Sequence, residues 1–166
     1  MGEAVRTTGV DPQRTGGVAV REAYTDGACR GGNPGFTSCA WVMYDSAMPG
    51  QELSGAKYLG PERHTNNYAE YQGLILLLEW LYRQNLRNVI IHSDSELVVN
   101  QTLGRWEINQ SELKSYATKC YGLLMQGCHV LKHVKGHDGN KGNERADALC
   151  NAALDIHKEE YEKQTT

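Results

Sequence analysis

Hydrophobic and polar positions change their pattern several times along the chain, and each change marks an element. Glu22 to Cys29 is short and runs into the breaker cluster Gly31-Gly32-Asn33-Pro34-Gly35, which reads as a strand entering a turn. Ser38 to Tyr44 and Glu52 to Leu59 read as two further strands with Ala47 to Gly50 turning between them, so the first three strands form an antiparallel meander. From Thr65 to Arg83 the period becomes helical: Ala69, Leu76, Leu77, Trp80 and Leu81 fall near one face and no proline interrupts. Asn88 to His92 (NVIIH) is a continuous apolar run, as expected of a strand covered on both faces. Ser95 to Leu103 and Ser111 to Gln126 read as helices, and His129 to Val134 as a last strand. Gly136 to Gly142 is a glycine-rich loop, and Asn143 to Leu154 a final helix.

The order βββ-α-β-α-α-β-α predicts an α/β protein. Its sheet is mixed and five-stranded, the first three strands antiparallel and the last two parallel, with helices on both faces and right-handed crossovers. Residues 21–155 form one domain. Residues 1–20, rich in Gly, Thr and Arg, read as a flexible N-terminal segment, and 156–166 as a charged C-terminal tail that frays.

Composition narrows the class without naming a function. A chain of 166 residues with 40% hydrophobic and 22% charged residues is an ordinary globular domain, not a disordered or collagen-like one. Its formal charge of -3 supplies no basic field for a polyanion, so local motifs must carry any nucleic-acid reading. Cysteines 29, 39, 120, 128 and 150 show no C-x-x-C spacing and read as reduced thiols. The longest uninterrupted apolar run, Leu74 to Leu78, is too short to cross a bilayer, and no basic-then-apolar signal opens the chain. The expectation is an intracellular, reducing compartment with no membrane partner: cytoplasmic in a bacterium, with nuclear and mitochondrial residence not distinguished otherwise.

The candidate chemistry lies where acids meet element ends. Asp26 sits inside the first strand, a place that disfavours aspartate unless something compensates it. Asp94 ends the apolar run at the carboxyl edge of a parallel strand, where ligands of open α/β sheets gather. Glu70 lies one turn into the long helix and Asp147 one turn into the last. Each has a duller alternative. Asn67-x-x-Glu70 fits a helix-start box, Asp94 fits an N-cap, and Asp147 fits a solvated helix carboxylate. Together, four carboxylates meet without cost only if divalent cations neutralise them. Magnesium, which takes oxygen ligands and keeps several waters, suits that set.

The segments TDGAC, GNPG, TNNYAEY, IHSDSELVVNQ and HVKGHDGNKGNERADAL resemble, in order and spacing, the type 1 ribonuclease H family over about residues 22 to 154. The resemblance implies a ribonuclease H-like fold and an endoribonuclease that hydrolyses the RNA strand of RNA–DNA hybrids with two metal ions, leaving 3′-hydroxyl and 5′-phosphate ends. It implies Asp26, Glu70, Asp94 and Asp147 as metal ligands and His137, between glycines, as a mobile proton carrier, with two Mg2+ ions per site and Mn2+ as a substitute. It also implies that Asn33, Asn66 and Asn67 read the 2′-hydroxyl, that Arg63 and Thr65 grip a DNA-strand phosphate, and that Trp106 stacks on the DNA path. Turn and cap chemistry is the alternative for the asparagines, and an ordinary interface residue for Trp106. The spacing of His129, His133 and His137 across a strand and a loop argues against zinc.

Departures from the family pattern matter. Gln101 to Ser115 holds only Arg105 and Lys114, countered by Glu107 and Glu112, where some members carry a basic protrusion. Binding is then weak and salt-sensitive, unless a hybrid-binding domain or a polymerase partner outside this sequence supplies affinity. The doubled Gly31-Gly32 lengthens the first turn, and Glu96 is an acid close to the expected substrate path. A monomer is expected. An exonuclease or transposase-like enzyme of the same fold, and an inactive nucleic-acid-binding module, remain as alternatives. Against them stand the HVKGH segment and the presence of all four acids.

Overall fold

The computed structural model describes residues 18–136 and 139–165. His137 and all but the last three residues of the expected N-terminal segment lie outside the described residues. The elements are β1 Arg21–Arg30, β2 Phe36–Asp45, β3 Leu53–Tyr58, α1 Asn66–Arg83 and β4 Val89–Ser93. They continue with α2 Glu96–Thr102, α3 Ser111–Gly127, β5 Val130–His133, α4 Lys141–Ile156 and α5 Lys158–Thr165. The sheet order is β3-β2-β1-β4-β5. The first three strands pair antiparallel, β4 lies parallel to β1, and β5 lies parallel to β4. This is the expected mixed sheet.

Strand periodicity assigns the two faces. Ala23, Trp41, Met43, Val89, Ile91 and Leu131 point one way and form the main core with α1, α2 and α3. On that side α1 crosses β1 so closely that a Cβ on Gly27 would lie 2.4 Å from the Ala69 carbonyl carbon, and one on Gly73 would lie 2.6 Å from the Asp26 carbonyl oxygen. Tyr24 and Ser38 point the other way, under α4: a Cβ on Gly142 would strike the Tyr24 ring at 2.3 Å, and Ser38 Oγ donates to the Cys150 carbonyl at 2.7 Å. The sheet is thus covered by helices from both sides.

Several boundaries differ from the sequence expectation, each for a local reason. Thr65 is not the first helical residue of α1 but its N-cap, accepting from Tyr68 N–H at 3.1 Å. The apolar face of α1 runs through Ala69, Leu74, Leu77, Leu78 and Leu81, while Leu76 and Trp80 are only partly buried. Asn88 precedes β4 because its φ of 59° is left-handed, a conformation asparagine tolerates. In β4, Ile90 and His92 are only half-buried, so the apolar run is not covered on both faces, because α4 lies over β1, β2 and β3 instead. The last helix begins two residues before Asn143, capped by Asn140, and the charged tail holds the short helix α5.

The start of β4 is tied to the start of β5. Val89 N–H donates to Nδ1 of the buried His129 at 3.1 Å, and Asn88 N–H donates to the Gly127 carbonyl at 2.9 Å. A ring accepting through Nδ1 is neutral, and burial, then the Arg87 charge, push the His129 pKa down from its usual range.

Two measurements check this packing. Gly27→Ala should lower stability by about 1–3 kcal/mol in urea unfolding, because backbone rather than a yielding side chain fills the space. Gly122→Ala, in exposed α3 with nothing within 4 Å of the added carbon, should raise it by about 0.5–1 kcal/mol. Because the folded pKa of His129 is depressed, the unfolded state binds more protons below about pH 6.5, so stability is present above that pH and lost as it falls. His129→Asn, whose amide oxygen can still accept from Val89 N–H, should flatten the acid side of the stability–pH profile.

Candidate active site

The site begins with strand register. Thr25 pairs with Ser93, so Asp26 stands level with Asp94, the first residue past the carboxyl end of β4. Glu70 comes to the same point from α1, whose close crossing of β1 leaves no room for a side chain at Gly27. Oxygens of Asp26, Glu70 and Asp94 all lie within 4.8 Å of one another. Asp147, solvent-exposed on α4, lines the same cleft of about 240 Å³ together with Gly27, Asn143 and Glu144. The structure therefore brings together the four carboxylates singled out from the sequence.

Their electrostatics are unfavourable as they stand. Asp26 is 4% exposed and Glu70 8%. Burial, then the charge of Asp94, pushes the Asp26 pKa up to about 8, against a hydrogen bond of 2.8 Å from Gly27 N–H that favours the ionised form. Burial, then Asp26 and Asp94, raises Glu70 well above the carboxylate range. Asp147 adds to the repulsion on both. Glu70 Oε2 is buried with no hydrogen-bond partner among the described residues, which is costly for a carboxylate oxygen unless something positive faces it.

The duller roles are taken by other residues. Thr65 caps α1, so Glu70 lies beyond the first turn and completes no capping box. Ser95 caps α2 through a 3.2 Å bond from Val98 N–H, so Asp94 is not the cap. Glu96 occupies the first turn of α2, where its charge complements the positive end of the helix. That accounts for an acid with no evident reason in the sequence. His129 is a buried structural group, and a zinc triplet has no support from it.

The expected substrate residues divide into two places. Asn33 Oδ1 accepts from Asn66 N–H at 2.9 Å, Arg63 Nη1 donates to the Gly31 carbonyl at 2.9 Å, and Gly35 bridges His64. Asn33, Arg63, Thr65 and Asn66 thus gather where the β1–β2 turn meets the N-terminus of α1, with the half-buried Asn67 on its first turn. The Arg63 guanidinium also lies 4.8 Å over the Phe36 ring. Trp106 is elsewhere, 45% exposed in a groove with Gln101, Gly104, Ile108 and Lys114.

Sequence reasoning gave no role to Asn143 or Glu144 and weighed His133 only as a zinc ligand. Asn143 is 5% exposed with an unpartnered Oδ1, and His133 Nε2 lies 3.3 Å from the Asp94 carbonyl oxygen. The signal for Asn143 was present in NERAD, where it precedes Asp147 by four residues on one helix face.

Comparison with known proteins agrees with this geometry. The sequence profile of the RNase H family matches residues 19–155. Ribonuclease HI of Halobacterium salinarum is 38% identical over 150 residues, spanning 90% of this chain and 70% of the relative. Ribonuclease H of Francisella philomiragia is 35% identical over 143 residues, spanning 80% and 89%. Among solved structures, RNase H1 of Halobacterium salinarum superposes with a TM-score of 0.71 at 36% identity, covering 82% of this chain and 98% of that one. LC11-RNase H1, solved in complex with an RNA/DNA hybrid, gives 0.69 at 34% identity, covering 82% and 97%. Sequence profile, relatives and fold agree with the acidic cleft: the chain belongs to the RNase H family, in its type 1 branch, and is a ribonuclease H.

Proposed function

We propose that this ribonuclease H hydrolyses the RNA strand of RNA–DNA hybrids with two Mg2+ ions held by Asp26, Glu70, Asp94 and Asp147, giving 3′-hydroxyl and 5′-phosphate ends. The observation that carries the reading is the convergence of Asp26, Glu70 and Asp94 oxygens within 4.8 Å, with Glu70 Oε2 lacking any partner among the described residues. The donors fit the ions: all are carboxylate oxygens, the cluster is buried on one side and open on the other, and Mg2+ prefers such ligands while keeping waters. Mn2+ has the same preference and should substitute. When bound, the pair supplies an activated water and charge stabilisation for the leaving 3′ oxygen.

The protein's own groups do the rest. Asp26, on a central strand and wedged against α1, holds its carboxylate where it cannot swing away. Asp94 and Asp147 come from different elements and leave the cleft open for a phosphodiester. Thr65 Oγ1 accepts from Tyr68 N–H and still has its own proton to donate to a phosphate oxygen beside the α1 N-terminus, which itself favours anions. Arg63, anchored by one of its donors to Gly31, has four more for the same phosphate. Asn33 spends its oxygen on Asn66 N–H, and its NH2 half remains for a 2′-hydroxyl, as do the side chains of Asn66 and Asn67. Trp106 stacks on the DNA strand further along the groove, and the chain acts as a monomer. With a net charge of -3, affinity rests on these few contacts, or on a hybrid-binding or polymerase partner.

The assay is cleavage of end-labelled RNA–DNA hybrid, duplex RNA and duplex DNA with Mg2+, Mn2+ or chelator. Only the hybrid should be cut, on its RNA strand, and only with metal; cleavage of duplex DNA would overturn the reading. Asp26→Asn should reduce turnover by ~10²-fold or more. The same change should raise the Tm of the chelated protein, because it removes one charge from a repelling buried set. Arg63→Ala should raise KM by about tenfold with little change in kcat, the worth of a charge-assisted hydrogen bond.

A further inference from the structure

The carboxylates leave one polar group of the cleft unused. Asn143 lines it, is 5% exposed, and carries a buried Oδ1 with no hydrogen-bond partner among the described residues. Its own backbone N–H is already given to Asn140 Oδ1 at 3.0 Å in the α4 cap. The side chains it shares the cleft with are Asp26, Glu70, Asp94, Glu144 and Asp147, acceptors when ionised like the carbonyl itself. While those acids are ionised, no described side chain lining the cleft offers that oxygen a donor, and the water shell of a cation that ionises them supplies one. Asn143 also precedes Asp147 by one helical turn, so both face the cleft from α4.

We infer that the Asn143 side-chain oxygen is a neutral acceptor at the cation site, taking a hydrogen bond from the water shell of a hydrated divalent cation on the Asp147 side of the cleft. This rests on the cation-binding reading above and extends it to a residue outside the carboxylate set. The choice of an amide has a physical reason. Another carboxylate there would add to the repulsion already borne by Asp26 and Glu70, whereas an amide presents an oxygen without a charge. Mg2+ keeps several of its waters and therefore needs such second partners to fix them.

The test is Mg2+ alone, titrated calorimetrically into the chelator-stripped full chain without nucleic acid, with the Tm recorded at each concentration. Asn143→Ala should keep the Tm of the chelated protein and shift the Mg2+ midpoint upward by about tenfold or more. Asn143→Asp, which keeps an oxygen in place and adds charge, should bind Mg2+ at least as tightly as the wild type while lowering the Tm in chelator. A wild-type midpoint in Asn143→Ala, alongside lost binding in Asp94→Asn, would overturn the role of Asn143 and leave the carboxylate site standing. No Mg2+ binding by the wild type would overturn both. Should Asn143→Ala not fold, weakened binding by Asn143→Asp would overturn the inference and tightened binding would support it.

Discussion

Three carboxylates with oxygens within 4.8 Å of one another repel on the order of 3–4 kcal/mol per ionised pair at an effective dielectric of ~20, and two of them are almost fully buried. The Gly27 N–H, which donates to Asp26, favours the ionised forms of Asp26 and Glu70 and offsets part of that repulsion. The rest of the fold holds the cluster against it. Asp26 sits in the middle of a five-stranded sheet and cannot retreat without disturbing pairs to β2. Glu70 is carried by an 18-residue helix whose apolar face is packed along its length. The missing Cβ at Gly27 lets that helix approach until Glu70 meets the end of the sheet. Binding free energy for a cation is stored in this way by the core.

The fourth acid arrives from the opposite face. Helix α4 is fixed to the sheet by Ser38 on the Cys150 carbonyl, by Arg145 on Glu52, and by Arg30 on Asn151 and Asp155. These contacts lie along the helix, while Asn143 and Asp147 extend from its N-terminal half into the cleft. The site is therefore assembled from both layers. One wall, from α1, is buried and carries the strongest desolvation, and the other is exposed and carries less.

The acidic net charge is consistent with this division of labour. The proposed phosphate contacts centre on Arg63 and Thr65, which are positioned before any ligand arrives: Arg63 by its bond to Gly31 in the β1–β2 turn, Thr65 by the bond it accepts from Tyr68 N–H in α1. Preorganisation of that kind reduces the ordering cost of binding, and a chain with a net charge of -3 benefits from it.

Much of this was legible in the linear chain. Period and breakers placed the three-strand meander, the long helix and the parallel strand. The ordered motifs TDGAC, TNNYAEY, IHSDSE and NERADAL marked Asp26, Glu70, Asp94 and Asp147, because element ends and residue type are local properties. Other features depended on which helix covers which strand. NVIIH looked buried on both faces, yet α4 stops short of β4, leaving Ile90 and His92 half-buried. Glu70 looked like half of a capping box until Thr65 proved to be the cap. The NERAD spacing placed Asn143 on the helix face of Asp147, but its unsatisfied oxygen was not legible, since that exists only once burial has removed its water. Residue order settles which groups are available and which element bears them; their mutual distances and desolvation arise from packing between segments far apart in sequence, and those two quantities decide whether acids merely coexist or form a cation site.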